Sequence, residues 1–218
     1  PLTTISMLRF LSELVSTGRY GKVNLPTAAH CASGLMLFKF VCQMLQDILA
    51  VAITDERLQQ VTSGTMPDGV YRCLLKPLCL AADIMRKCLH GDFVPFGAMQ
   101  LYNDSVFDVT VVGIFRMLSV FPMDLFRQYS KCTMAVVDLL RSMSEYSVIS
   151  PLARMNGAEL SHVIQFCVAV CSDVDSTTAV LLHGMSFLSF IAQLVGTVKN
   201  IVLTSPAMTP QQAAMVPP

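Results

Sequence analysis

The sequence predicts an all-α protein in which antiparallel helix pairs stack into an α-α superhelix. Three observations carry that prediction. Apolar residues recur at three- to four-residue spacing in seven long stretches. No stretch alternates apolar and polar residues for long enough to demand a strand. Only 14% of the 218 residues are charged while 53% are hydrophobic, which suits helices covered on several sides by neighbouring pairs. The scarcity of charge around Val111 and Leu188 is the sharpest instance. Pairs recur at about 35 to 55 residues, a period compatible with HEAT-like units although no internal sequence repeat is visible.

The first helix is predicted over Thr3 to Val15, capped by Thr3 or Thr4, with Ile5, Leu8, Leu11 and Val15 on one face and Gly18 as its stop. A polar connection through Asn24, Pro26 and Thr27 leads to a second helix from Ser33 to Ile53, with Leu37, Val41, Met44, Leu45 and Ile48 on one side. Thr54-Asp55-Glu56 marks its exit. The segment Thr62 to Gly69 holds two turn signals, Ser63-Gly64 and Pro67-Asp68-Gly69, and is the clearest surface loop.

A third helix spans Val70 to Leu89 with Pro77 inside it, where a missing N–H and a clash with the preceding turn predict a kink. His90-Gly91-Asp92 closes it, and Phe93-Val94-Pro95-Phe96-Gly97 is expected outside regular helix. The fourth helix starts at Asn103 or Asp104 and runs to Val120, apolar nearly all round. Pro122 separates it from a fifth, Met123 to Tyr146, with a break near Tyr129-Ser130. Its buried side is Val136, Leu139, Leu140 and Met143, and its solvent side Asp124, Arg127, Lys131, Asp138 and Arg141. A short turn around Pro151 precedes a sixth long helix, Gly157 to Cys171. The Ser172 to Ser176 interruption caps the last, Thr177 to Asn200. These elements divide the chain into a helical repeat segment, residues 1–203, and a proline-bearing tail, residues 204–218, expected to be disordered.

Fifteen basic and fifteen acidic side chains cancel. That balance argues against a polyelectrolyte tail and against nucleic-acid binding, which rests on surplus Lys and Arg meeting phosphates. Eight cysteines, at 31, 42, 73, 79, 88, 132, 167 and 171, form no Cys-x-x-Cys pair and sit mostly in apolar helices. They are expected to be buried free thiols rather than a disulfide framework. The chain begins at Pro1 rather than Met, and the expectation is a processed protein or, more simply, a fragment of something longer.

Few residues suggest chemistry. Cys167 and Cys171 stand four apart with His162 and Glu159 a turn or two earlier, half of an imaginable metal site. A zinc ion needs about four converging ligands, so two small residues at a close helix contact is the better reading. His183 beside Gly184 is expected in the wall of the stack, hydrogen-bonded to a neighbouring helix. His30 and Cys31 are adjacent, which is not the geometry a base and nucleophile require. Gly64, Gly69, Gly91 and Gly97 form no phosphate-binding loop. Asp55-Glu56 and Asp173 with Asp175 are helix-end carboxylates. No catalytic, cofactor-binding or metal-binding residue is nominated, no cofactor is expected, and partner-contact residues stay unassigned. The fourteen methionines are scattered through the helices and are expected to fill the core. The rival to a soluble stack is a membrane protein with one spanning helix near 176–198, since Ser176 to Val198 lacks Asp, Glu, Lys and Arg. Ser176, Thr177, Thr178, His183, Ser186, Ser189 and Gln193 speak against it.

From Met7 to Val195 the order of features resembles the C-terminal region of nuclear transport receptors of the importin-β (karyopherin) family. The resemblance rests on the run Leu8 to Leu14, on Ser33 to Phe38, and most on His90-Gly91-Asp92-Phe93-Val94-Pro95-Phe96-Gly97-Ala98-Met99-Gln100-Leu101-Tyr102-Asn103-Asp104. Asp124-Leu125, the helix Tyr129 to Leu140 and the run Ser161 to Leu194 keep the same register. The loop Thr54 to Gly69 has no counterpart. The family's further C-terminal helices are not matched after Val195, and its N-terminal Ran-contacting repeats are not matched at all. The resemblance implies an exportin-like solenoid segment that does no covalent chemistry. It implies a receptor shuttling between nucleus and cytoplasm through the nuclear pore, with protein cargo, Ran in its GTP form and phenylalanine-glycine nucleoporins as partners. No nucleic acid and no membrane insertion are implied.

Overall fold

The computed structural model describes residues 2–19, 32–53, 69, 71–91, 94, 96–173 and 176–204, and among them no strand forms. Helices α1 (Leu2–Arg19) and α2 (Ala32–Ile53) come first. A π-helical turn, Tyr71–Leu75, feeds α3 (Lys76–His90). Then follow α4 (Phe96–Leu101), α5 (Val106–Val120), α6 (Met123–Gln128), α7 (Ser130–Glu145), α8 (Ser150–Arg154), α9 (Gly157–Ser172) and α10 (Thr178–Thr204).

The long helices fall into two rows. One row is α1, α3, α7 and α10, each packed on the next. The other is α2, α5 and α9, again in sequence. The rows meet through α2 with α3, α3 with α5, and α9 with α10. Successive long helices therefore alternate between rows, which is the layered, HEAT-like all-α arrangement that the periodicity predicts.

Apolar stripes explain the pairing. On α1, Ile5, Leu8, Leu11 and Val15 are all buried, and each side chain of this size contributes about 1.5–3 kcal/mol when fully covered. The helices α3 and α7, inside their row, bury residues on more than one face, and Leu78, Ile84, Met85, Val136, Leu139 and Leu140 are completely inaccessible. Phe38, Phe96 and Phe107 form a ring cluster with centroid separations of 5.6, 6.3 and 5.1 Å, tying α2, α4 and α5 together.

Polar clasps set the lengthwise register that apolar stripes leave loose. Between α1 and α3, the Lys87 ammonium donates to Ser12 Oγ at 2.6 Å and pairs with Asp83 at 2.9 Å. Between α2 and α5, Gln46 Nε2 donates to Thr110 Oγ1 at 2.9 Å. Arg116 on α5 meets Glu159 on α9 at 2.7 Å. The buried Asp108 carboxylate on α5 accepts from Ser150 Oγ at 2.7 Å and Arg154 Nε at 2.8 Å, both on α8.

Pro77 lies inside a helix that is continuous from Tyr71, since Leu75 already has helical angles (φ −72°, ψ −36°), and the irregularity expected at the proline takes the form of the π-helical turn Tyr71–Leu75 directly before it. Other expectations are corrected. Phe96 and Gly97, expected outside helix, open α4, because a residue following proline escapes the restriction that proline places on its predecessor. The fourth predicted helix starts at Val106 rather than at Asn103 or Asp104. Asn103 takes φ 54°, and the Asp104 carboxylate accepts from the Val106 N–H at 3.2 Å. The break at Tyr129 is real and divides α6 from α7. The last helix continues to Thr204. Residues 205–218, the loop 54–68 and the His30-Cys31 pair lie outside the described residues.

Candidate functional site

Three consecutive short-range choices of the sequence build a groove at one end of the α7–α10 contact. Pro122 stops α5 and opens α6. Tyr129 then turns the chain so that α7 leaves at an angle, held by the Thr133 hydroxyl donating to the Phe126 carbonyl at 2.6 Å. On the facing side α9 ends at Asp173, where the Ser176 N–H donates to the Asp173 carbonyl at 3.1 Å before α10 begins. Between these corners lies a pocket of about 280 Å³. Its apolar wall comprises Met123, Phe126, Met134, Phe166, Val170 and Val180. Phe126 and Phe166, both buried, meet edge to face at 5.1 Å at the back of this wall. Arg127, Ser130 and Lys131 form one rim, and Asp173 and Thr177 the other.

Below the groove, a hydrogen-bonded seam fixes α7 between its row neighbours. His183 on α10 donates from Nδ1 to the Asp138 carboxylate at 2.6 Å, and its Nε2 faces Arg141 Nη1. Arg141 also reaches Glu145 at 2.7 Å. On the other side of α7, the Ser142 hydroxyl donates to the Asp138 carbonyl at 2.8 Å and is 2.9 Å from His90 Nε2. The Ser142 oxygen therefore accepts from His90, leaving Nδ1 to accept from Tyr146 O–H at 3.2 Å. His183 thus sits hydrogen-bonded in the wall of the stack, as its setting predicts. Asp138 and Arg141, expected on the solvent side, instead serve the helix contact.

The imagined half-site on α9 has other duties. Glu159 pairs with Arg116 and completes a capping box with Asn156. Hydrogen bonding from Arg116 holds its carboxyl below the usual range. Burial lowers the His162 imidazole, an effect opposed by its bond to the Leu118 backbone. Cys171 lies at a tight contact of α9 with α10: a Cβ placed on Gly184 would lie 2.7 Å from its sulfur. Cys167 lies fully buried one turn away. The two cysteines are thus small residues at a tight helix contact, the reading preferred from the sequence. Among the described residues no group of three or more His, Cys, Asp or Glu is placed to hold a metal ion. Seven cysteines are described and all are free thiols. Burial pushes Cys42 up to about 12 and raises Cys88, Cys132 and Cys167 as well.

Among the described residues two helices are long and apolar enough to cross a membrane, Gly34–Ala52 and Thr178–Lys199. The first carries Lys39, paired with Asp104 at 2.6 Å. The second holds its His183 against Asp138 and Arg141.

Comparison of the sequence with known proteins finds distant relatives. The chain is 27% identical over 150 residues to mouse Ran-binding protein 17, an alignment covering 66% of this chain and 12% of that protein. It is 21% identical over 165 residues to exportin-7 of Dictyostelium discoideum, covering 76% of this chain and 15% of the relative. Exportin-7-B of Xenopus laevis is 21% identical over 198 residues, covering 85% and 17% respectively. The similarity is distant. It supports a relation to the karyopherin receptors without singling out exportin-7, and the chain spans less than a fifth of the length of these relatives. No protein-family model and no solved structure matches the chain.

The groove could not have been located from the sequence. Phe126 and Phe166 are forty residues apart, and each alone reads as core. The available signal was the Pro122 and Tyr129 interruptions, which announce a corner but not what faces it.

Proposed function

We propose that this chain is a segment of an exportin-like nuclear transport receptor, working by non-covalent binding in a protein that shuttles between nucleus and cytoplasm. The carrying observation is the similarity to Ran-binding protein 17 and exportin-7 along most of the chain, joined to a two-row helical stack of the kind such a receptor needs. In the whole receptor the partners are protein cargo, Ran in its GTP form and phenylalanine-glycine nucleoporins. No covalent step is assigned, and neither nucleic acid nor a bilayer is a partner. Within this segment the groove at the α7–α10 contact offers an apolar slot, lined by Met123, Met134 and Val180, that a phenylalanine side chain would enter as an apolar anchor enters a groove between helices.

The test is binding of the 218-residue chain to an immobilised phenylalanine-glycine repeat protein and to the same protein with every Phe replaced by Ser. Weak, Phe-dependent retention is expected, and equal retention on both surfaces would refute the reading. The alternative, one spanning helix near 176–198, draws on the length and exposure of Thr178–Lys199. Alkaline carbonate extraction of membranes from expressing cells separates the two: a receptor segment is released and an integral protein stays in the pellet.

A further inference from the structure

Helix α10 closes its row, packed on α7 and α9, and only 17% of its span Thr178–Lys199 is buried. Val180, Gly184 and Phe187 face the stack. The opposite face, at three- to four-residue spacing, presents Leu182, Met185, Ser189, Gln193 and Gly196 to solvent. Leu182 and Met185 are 64% and 57% exposed. No Asp, Glu, Lys or Arg lies between Ser176 and Val198, although the solvent face of a helix ordinarily carries such groups. Size is ordered along this face. The bulky apolar residues Leu182 and Met185 stand in its first half, and the small residues Ser189, Ala192 and Gly196 in its second. A Cβ placed on Gly196 would meet nothing within 4 Å, so a hollow stands open there.

We propose that the outer face of α10 is the contact surface for a second copy of this chain, paired antiparallel about a two-fold axis at Ser189. In that arrangement Leu182 of each copy comes to Gly196 of the other, so that large meets small, and the two helix dipoles oppose each other. Laid parallel, leucine would meet leucine and the glycines would face each other across a void. The strip Thr178–Lys199 has 22 residues and is about 33 Å long and about 10 Å wide, which is the low end of what holds a specific pair. The dimer is therefore a weak one, dissociating in the tens of micromolar. The other end of the stack does not suit this face. There α1 and α2 expose Arg9, Glu13, Lys39 and Asp47, and a head-to-tail contact would bury those charges against a surface that has none to pair with them. The two-fold contact closes at two copies.

The experiment is sedimentation velocity of the 218-residue chain over a concentration series from low to several hundred micromolar. A monomer–dimer equilibrium is expected, and it should persist at about 0.5 M salt because no charge joins the faces. Gly196→Leu fills the hollow and should weaken pairing by about tenfold or more, even though it adds apolar surface and favours the helix. Leu182→Ala removes the side chain that enters the hollow and should weaken pairing by about three- to tenfold. The double variant exchanges large for small and should return to within about threefold of the parent. Ser189→Glu sets two carboxylates against each other on the axis and should hold the chain monomeric. All of these positions are exposed, and circular dichroism establishes that each variant folds.

A parent chain that is monomeric throughout, or whose assemblies grow past the dimer, overturns the proposal. Tighter association of Gly196→Leu does so as well, since it marks unspecific apolar adhesion. Weakening by both single changes without recovery in the double variant overturns the antiparallel register. A parent that stays in solution only as a mixed particle with detergent or lipid overturns the proposal in favour of a bilayer against this face.

Discussion

Gly184→Ala tests the helix contact that places α10. In an isolated helix the change is stabilising by about 1 kcal/mol, because alanine has less backbone entropy to lose than glycine. Here the new methyl would sit 2.7 Å from the Cys171 sulfur and 3.9 Å from the Cys167 carbonyl oxygen. Sulfur can retreat only by rotating about one bond, which breaks its 3.9 Å contact with the Leu181 carbonyl. Overpacking of this kind costs about 1–3 kcal/mol. The steric term therefore exceeds the propensity gain, for a net loss of about 1 kcal/mol and a melting temperature lower by about 2–4 °C at this chain length. In a Cys171→Ala background the obstructing sulfur is gone, and the same Gly184→Ala change should stabilise by up to about 1 kcal/mol. The readout is a four-member mutant cycle in urea, followed by helical circular dichroism, with a coupling of about 2 kcal/mol expected. If Gly184→Ala raises stability equally in both backgrounds, α9 and α10 do not meet as described.

Other consequences are checked in the same way. Arg154→Met leaves the buried Asp108 carboxylate with only Ser150 and should lower stability by about 1–3 kcal/mol in urea unfolding, whereas Arg127→Met on an exposed surface should change it by less than about 0.5 kcal/mol. Asn156→Ala removes half of a capping box and should cost about 1 kcal/mol, read as a shifted melting temperature. For Asp83, burial raises the carboxyl, but bonds and charges from Arg86 and Lys87 outweigh it and the net direction is down. A depressed carboxylate stabilises fully above its unfolded value near pH 4 and loses that contribution as the pH falls through its folded value. Acid titration of the parent should therefore show a stability loss below about pH 4 that is smaller in Asp83→Asn. Finally, Cys42, Cys88, Cys132 and Cys167 should resist a thiol reagent at pH 8 until the chain is unfolded, because burial raises each of them; mass mapping of the labelled sites decides this.

The fold was legible where local chemistry and long-range packing agree. The Ile5, Leu8, Leu11 and Val15 stripe is buried, Pro122 and Tyr129 divide helices, and the Pro151 turn is α8. It was illegible where a polar residue finds its partner far along the chain. Asp138 and Arg141 look like solvent-side residues because their partner, His183, is more than forty positions away. Pro77 announced an irregularity but not that it would take the form of a π-helical turn. The candidate groove was hidden for a similar reason: its wall joins Phe126 and Phe166, side chains whose separate contexts resemble ordinary core.

The clasps between helices carry a mechanical consequence. A greasy interface resists being pulled apart but offers little opposition to gliding, since one methyl substitutes for another. A specific donor and acceptor placed along it acts as a pivot pin. Pairs such as Ser12 with Lys87 and Asp138 with His183 forbid lengthwise travel while leaving small changes of angle cheap. A slip of one helix along its neighbour would therefore break a bond as well as shift methyls, at about 1 kcal/mol for each pin.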